Sequence, residues 1–308
     1  MDITKAMQAV EDAMFATVDS EVIVLRDASR HILSAGGKRV RPRLVMLSYA
    51  ATGGQDSARA VPVAAAVELV HTASVVHDDI NDHGYVRRGR PSVNALWGRT
   101  FALLTGDFLF TKVYELMAPY QDLNIILSEA TMALVEGETL QAAAAKEGNL
   151  NRETYYQIIA RKTAALFKAG AQLGAELSHA TQEQIDALAR YGFNVGLAFQ
   201  IIDDILDLIA DSAQLGKTAG LDLAQGKGVG SAYVTHNGNQ AVAEQVAVAD
   251  DPLTAIKQKI LKGDAIQEAR TQAAMLVQQA VQELDVLPES AAKQELIALA
   301  QLIIERDH

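Results

Sequence analysis

Two short acidic clusters carry the densest chemistry in the chain. Asp78, Asp79 and Asp82 close the apolar run from Val67 to Val76, and Asp203, Asp204 and Asp207 close the run from Val195 to Ile202. Positions three and four apart share one helix face, so each DDxxD gathers its carboxylates on one side. Two carboxylates ~4 Å apart repel by about 4 kcal/mol at an effective dielectric near 20. Several on a buried helix end therefore need a compensating cation. Oxygen ligands without cysteine favour magnesium or calcium, and magnesium commonly joins a few carboxylates to phosphate oxygens. One such cluster alone reads as a solvated helix face; two, each following a strongly apolar segment, read as a metal site.

A metal-lined acidic wall predicts an anionic ligand, which needs cations on its other side. Gly36-Gly37-Lys38-Arg39-Val40-Arg41-Pro42 sets cations beside a flexible glycine pair, and Arg87-Arg88-Gly89-Arg90 follows the first acidic motif. Lys162-Thr163, Lys217 and Lys227 come later, the last two beside glycines. Arginine forks suit phosphate oxygens and lysine supplies point charge. His71 precedes Asp78 by seven residues, two helical turns, and lies on roughly the same face; it reads as a phosphate contact or as a satisfied core histidine. His77 projects about 100° away from Asp78 and reads as structural. Gln200 points with Asp203 and Asp204, and Trp97 and Phe108 read as core.

These groups must be positioned by helices. Apolar residues recur at three- and four-residue spacing over Leu123–Leu140, Tyr155–Leu177, Ile185–Ile209 and Ile266–Leu284, and strand-like alternation is nearly absent. The pattern predicts an all-α protein. Breaks fall at Gly36-Gly37, Thr52-Gly53-Gly54, Gly84 to Pro91, Gly148-Asn149 and the glycine-rich run Gly216 to Gly238. That last run, with the polar stretch to Asp251, is the longest irregular region and a candidate lid. No linker divides the 308 residues, so a single domain over 1–308 is expected.

Composition narrows the class. A net charge of −11 argues against general nucleic-acid binding, and the absence of cysteine excludes disulfides and thiolate chemistry. Met1 to Ala16 lacks a cationic leader, and Val61 to Val76 is broken by Glu68 and His71 and is short for a bilayer span. A cytoplasmic protein without a transmembrane segment is expected.

In this order the segments resemble the trans-isoprenyl diphosphate synthases (polyprenyl synthetases) of medium- or long-chain type. The likeness covers GGKRVRP at 36–42, HTASVVHDDIND at 71–82, RRG at 87–89, GD at 106–107, KT at 162–163, FQIIDDILD at 199–207 and GKxxGxDLxxGK at 216–227. It implies a helical bundle with a central cavity, the isoprenoid synthase type, and usually a homodimer. By the family pattern Lys38, Arg41, His71 and Arg88 would bind isopentenyl diphosphate. Arg87, Lys162, Thr163, Gln200, Lys217 and Lys227 would bind an allylic prenyl diphosphate. Magnesium ions would sit on Asp78, Asp79 and Asp82 and on Asp203, with Asp204 and Asp207 beside it. The implied reaction lengthens a geranyl, farnesyl or geranylgeranyl primer after metal-assisted ionisation.

Two departures stand out. Tyr85 replaces an acidic residue that many relatives carry after the first motif, and Val229-Gly230-Ser231 replaces their Thr-Leu-Pro. Ser74 and Ala73, about one turn before Asp78, are small where short-chain relatives often carry aromatics, with Val70 and Val67 below. A product of geranylgeranyl length or longer is therefore expected, unless another helix closes the tunnel. A catalytic subunit needing a heteromeric partner is one alternative. Another is an all-α metal-dependent phosphohydrolase using His31, His77, Asp78 and a later Asp, which leaves GGKRVRP and the second acidic motif unexplained. A terpene cyclase would normally lack the second symmetric DDxxD.

Overall fold

The computed structural model describes residues 1–147, 151–209 and 264–306. In chain order the helices are α1 Ile3–Thr17, α2 Ile23–Ser34, α3 Val40–Ala51, α4 Val61–Asn81, α5 Val93–Met117, α6 Leu123–Glu147, α7 Arg152–Ile159, α8 Ala165–Leu177, α9 Gln182–Ile209, α10 Ala265–Glu283 and α11 Ala291–Ile304. The predicted helical stretches all fall inside these elements and the turns that join them, and the all-α class holds. Side-chain caps set several starts: Asp2 accepts from Lys5 N, Ser92 from Ala95 N, Asn151 from Thr154 N and Ser290 from Lys293 N. Each satisfies one of the amide donors that a helix start leaves without an intrahelical partner.

The centre is α4, packed against α1, α3, α5 and α8. Together with the short turn before it, this helix is long and apolar enough to cross a bilayer, over Ser57–Asn81. That is longer than the Val61–Val76 stretch suggests from sequence. Its residues 63–67 and Leu69, Val70 and Ala73 are fully buried in the protein core. A second apolar cluster surrounds α9, with α3, α8, α10 and α11 around it. Close approach of α9 to α8 depends on glycine: a Cβ on Gly192 would stand 2.6 Å from Phe167 O, and one on Gly196 2.7 Å from Ala164 Cα. Fully buried leucines such as Leu44, Leu47, Leu69, Leu109, Leu166 and Leu173 contribute about 1.5–3 kcal/mol each.

Three local features position the chemistry. Helix α4 ends at the first acidic motif: Asp82 is its C-cap, His83 takes a left-handed φ of 52°, and Gly84 N–H closes onto Asp79 O at 2.9 Å. Between α7 and α8 the chain widens into a single π turn, Ala160–Ala164, which carries Lys162 and Thr163. Such turns are rare and frequent at functional sites. The third feature is a small hairpin that the residue pattern did not reveal: β1 Val86–Arg87 pairs antiparallel with β2 Arg90–Pro91. Its central residues, Arg88 at φ 52° and Gly89 at φ 72°, have the positive angles of a type I′ turn. Arginine at the first of these positions hid the signal, which Asn or Asp would have made plain.

Gly148-Asn149, the run from Gly216 to Gly238 with its extension to Asp251, and with it Lys217, Lys227 and Val229-Gly230-Ser231, lie outside the described residues.

Candidate active site

The end of α4 presents the first acidic motif with its members in unequal surroundings. Asp79 is 2% exposed; its Oδ1 accepts from Arg87 Nε at 3.0 Å and Nη2 at 2.6 Å. Its Oδ2 is buried with no hydrogen-bond partner. Burial pushes the Asp79 carboxyl above its ordinary value despite Arg87, while Asp79 in turn outweighs burial and raises Arg87. Asp78 keeps part of its carboxylate accessible, 3.6 Å from the Lys162 ammonium. Asp82, beyond the last helical residue, is also partly exposed.

Lys162 is the hub. Its ammonium donates to Gln141 Oε1 at 2.9 Å and pairs closely with Glu138, both on α6. Burial works against the ammonium, but Asp78 and Glu138 outweigh it and raise its pKa. Glu138 is pushed up to about 7 by burial and by Asp78, against the pull of Lys162. Helix α6 reaches the π turn closely because Gly137 lacks a side chain: a Cβ there would meet Lys162 N at 2.6 Å.

The next residue leads to the other motif. Thr163 Oγ1 donates to Gln200 Oε1 at 2.7 Å, Gln200 Nε2 donates to Asp204 Oδ1 at 2.8 Å, and the Tyr155 hydroxyl donates to Asp204 Oδ2 at 2.7 Å. Two adjacent residues of one π turn thus join the two acidic motifs, separated by more than a hundred residues of chain. Asp204 and Asp207 are buried, whereas the Asp203 side chain is 39% exposed and accepts from Arg306 Nη1 at 2.9 Å.

Cations cover the other side. Lys38 stands near Asp203 and Arg306, and burial with Arg306 lowers its pKa. Arg41 lies with its Cζ 4.7 Å above the Phe167 ring and its Nε buried without a hydrogen-bond partner. Arg88 lies over Gly37, where an added Cβ would be 2.8 Å from the guanidinium. Burial and the charges of Arg41, Arg88, Arg87 and Arg39 hold His71 well below its ordinary pKa, so it is neutral at pH 7. Arg39 serves the fold instead. It pairs with Glu11 and, at 3.0 Å, with Glu68, and so anchors α3 to α1 and α4.

Other expectations from the sequence separate here. His31 bonds Pro91 O at 2.8 Å and packs edge-on to Trp97, and His77 lies 3.2 Å from Leu103 O and 3.5 Å from Asp107. Neither histidine turns to the acidic motifs, which removes the ligand set of a phosphohydrolase. Ser74 is half-buried, while Ala73, Val70 and Val67 are sealed in the core. Glu138, Gln141, Tyr155 and Arg306 were not foreseen. Their only sequence signal was a polar residue within an apolar helical pattern, or a basic residue near the chain end.

No three His, Asp or Glu side chains among the described residues already surround one point. The partly exposed Asp78, Asp82 and Asp203 and the orphaned oxygen of Asp79 are hard oxygen donors. They suit an ion that completes its shell with phosphate oxygens and water, as magnesium does, better than an all-protein cage.

The chain is similar to known proteins over nearly its whole length. The polyprenyl synthetase family matches residues 22–295. The octaprenyl diphosphate synthase of Escherichia coli is 34% identical over 98% of this chain and 96% of its own. The short chain isoprenyl diphosphate synthase of Methanothermobacter thermautotrophicus is 35% identical over 100% and 99%. Among solved structures, a polyprenyl synthase from Caulobacter crescentus, complexed with calcium and isoprenyl diphosphate, superposes with a TM-score of 0.93 at 30% identity, covering 99% of this chain and 96% of that one.

Proposed function

The chain belongs to the polyprenyl synthetase family, and on that basis we propose that it joins isopentenyl diphosphate to an allylic prenyl diphosphate, making an all-trans product of geranylgeranyl length or longer. The observation that carries this reading is the double junction at the π turn, where Lys162 meets Asp78 and Thr163 reaches Asp204 through Gln200. It supports an allylic diphosphate held between the two acidic motifs. Lys38, Arg41, Arg88 and neutral His71 would take the diphosphate of the homoallylic partner. Lys217 and Lys227 are kept as allylic-side contacts by the family pattern.

In the reaction the allylic C1–O bond breaks and its electrons leave with the diphosphate. The double bond of isopentenyl diphosphate attacks C1, the new carbon–carbon bond forms, and a proton is lost from the adjacent carbon to the released diphosphate. Lys162, Thr163 and Gln200 would orient the leaving group, and the fixed charge of Lys162 would stabilise its developing negative charge. Magnesium, held through Asp78, Asp82 and Asp203, would neutralise the diphosphate further. Asp79, Asp204 and Asp207, set deeper, would complete the acidic shell, the first two fixed by Arg87 and by Tyr155 with Gln200.

The reading extends to assembly and location. Leu96, Phe101 and Leu104 on α5 and Ile125, Met132 and Val135 on α6 are exposed, which supports a homodimer through these helices. We read the whole chain as one cytoplasmic synthetase domain. The test is direct. Purified protein is incubated with farnesyl diphosphate, isopentenyl diphosphate and magnesium, and products are separated by chain length. Elongated all-trans products, formed without a second protein, are expected. Unextended farnesyl diphosphate alone would refute the proposal.

A further inference from the structure

Between α2 and α3 the chain runs through three positive φ angles: Gly36 at 71°, Gly37 at 141° and Arg39 at 44°. Glycine tolerates such angles, but an arginine keeps one only where its surroundings fix it. Among the described residues, the amides of Gly37, Lys38 and Arg39 donate to no backbone carbonyl. The loop is therefore held from outside, by the Arg39 side chain. Its Nε and Nη2 donate to the Glu11 carboxylate on α1, Nη2 also donates to Leu33 O on α2 at 2.9 Å, and Nη1 donates to Glu68 Oε1 on α4 at 3.0 Å.

These anchors are unequal. Glu11 is partly exposed, whereas Glu68 is 2% exposed. A charge-assisted bond sheltered from water is the stronger of the two. Glu68 also stands one turn before His71 on α4, on the same face. Its second oxygen, Oε2, is buried and takes no hydrogen bond. Burial lowers the pKa of both Arg41 and Arg88, and the charge of Glu68 opposes that in each. One buried carboxylate thus grips the loop at Arg39 and favours the charged forms of the two arginines beside it.

We propose that Glu68 is a positioning residue for the second substrate: by holding Arg39 it fixes the loop from Gly36 to Arg39 in its left-handed form, and so sets Lys38 and Arg41 where the homoallylic diphosphate binds. The proposal rests on the prenyl-transfer reading above. Neither Glu68 nor Arg39 is assigned a contact with substrate; both act through the residues that flank Arg39. The consequence is a defect confined to isopentenyl diphosphate, because Lys162, Thr163 and Gln200 belong to the π turn and α9.

The test is steady-state turnover of the full chain with magnesium, each diphosphate varied while the other is saturating. Wild-type protein is compared with Glu68→Gln, Glu68→Asp and Arg39→Lys. Glu68→Gln keeps an acceptor oxygen but loses the charge. It should raise the KM for isopentenyl diphosphate roughly tenfold, with kcat and the KM for farnesyl diphosphate within about twofold of wild type. Glu68→Asp should recover part of the loss. Arg39→Lys leaves the buried carboxylate in place and removes the fork that spans three helices; it should give the same selective rise, and it carries the test if Glu68→Gln does not fold. A KM for isopentenyl diphosphate at or below the wild-type value in either variant overturns the proposal. So does an equal rise for both substrates with a lower melting temperature, which marks Glu68 as a core anchor for α4 only. A wild type that elongates nothing defeats the prenyl-transfer reading itself, a result seen before any variant is made.

Discussion

The Lys162 ammonium stands 3.6 Å from the Asp78 carboxylate, across the gap between the π turn and the end of α4. Glu138 and Gln141 hold the same ammonium from α6, so its position is set before any ligand arrives. Replacing it by methionine keeps the length of the stem and removes the charge. Lys162→Met should lower kcat roughly a hundred- to a thousandfold, the range found when one preorganised electrostatic donor is lost. Steady-state turnover with farnesyl and isopentenyl diphosphates measures it; a near wild-type kcat would show that Lys162 serves packing alone.

Glu138 makes metal-free stability depend on pH. Its carboxyl is raised from an ordinary 4.5 to about 7, so the folded chain binds a proton there that the unfolded chain has lost. The contribution is complete below pH 4.5 and is lost as pH rises through about 7, amounting to about 3 kcal/mol at most. Melting curves of metal-free protein across this window should show a falling component that Glu138→Gln removes. An identical slope in wild type and variant would contradict the assignment.

Gly37 has a φ of 141° and packs under the Arg88 guanidinium. Gly37→Ala should cost about 1 kcal/mol of stability or more, and by displacing Arg88 raise the KM for isopentenyl diphosphate several-fold. Gly36, at φ 71° with open space around it, is the control: Gly36→Ala shares the backbone strain without the displacement. Equal KM values for the two variants would separate Arg88 from substrate binding.

Tyr155 fixes Asp204 through a buried hydrogen bond of 2.7 Å. Bonds to charged groups are worth about 1.5–3 kcal/mol. Tyr155→Phe should therefore lower the melting temperature and raise the magnesium concentration needed for half-maximal turnover. A loss of stability with an unchanged magnesium requirement would leave Tyr155 as a core residue only.

Ser74 is the small residue that keeps accessible surface one turn before Asp78, whereas Ala73 is sealed. Ser74→Phe should place a ring below the site and shorten the product distribution, read by chromatography of the dephosphorylated prenols. An unchanged distribution would move the tunnel floor to another helix.

Much of this was legible before the fold. The stretches Tyr155–Leu177 and Ile185–Ile209 read as helices because their apolar spacing follows the helical period, and that period does not depend on tertiary context. Asp78, Asp203, Lys162 and Gln200 stood out because charged or amide groups beside apolar helical runs demand a partner. The hairpin at Val86–Pro91 was not legible, since an arginine in a left-handed turn position is rare.

The helical class, the two acidic motifs and the order of the basic segments follow from sequence alone, because each depends on residues close together along the chain. Which charges are committed and which are available was settled only by tertiary packing. Arg39 is held by Glu11 and Glu68, and Arg87 by Asp79, while Arg41 and Arg88 face the site. Folding also brought Glu138 to Lys162, Tyr155 to Asp204 and Arg306 to Asp203. Those pairings join helices far apart in sequence, and the strength of a charge pair depends on distance and burial, neither of which is written in the spacing of residues along a chain.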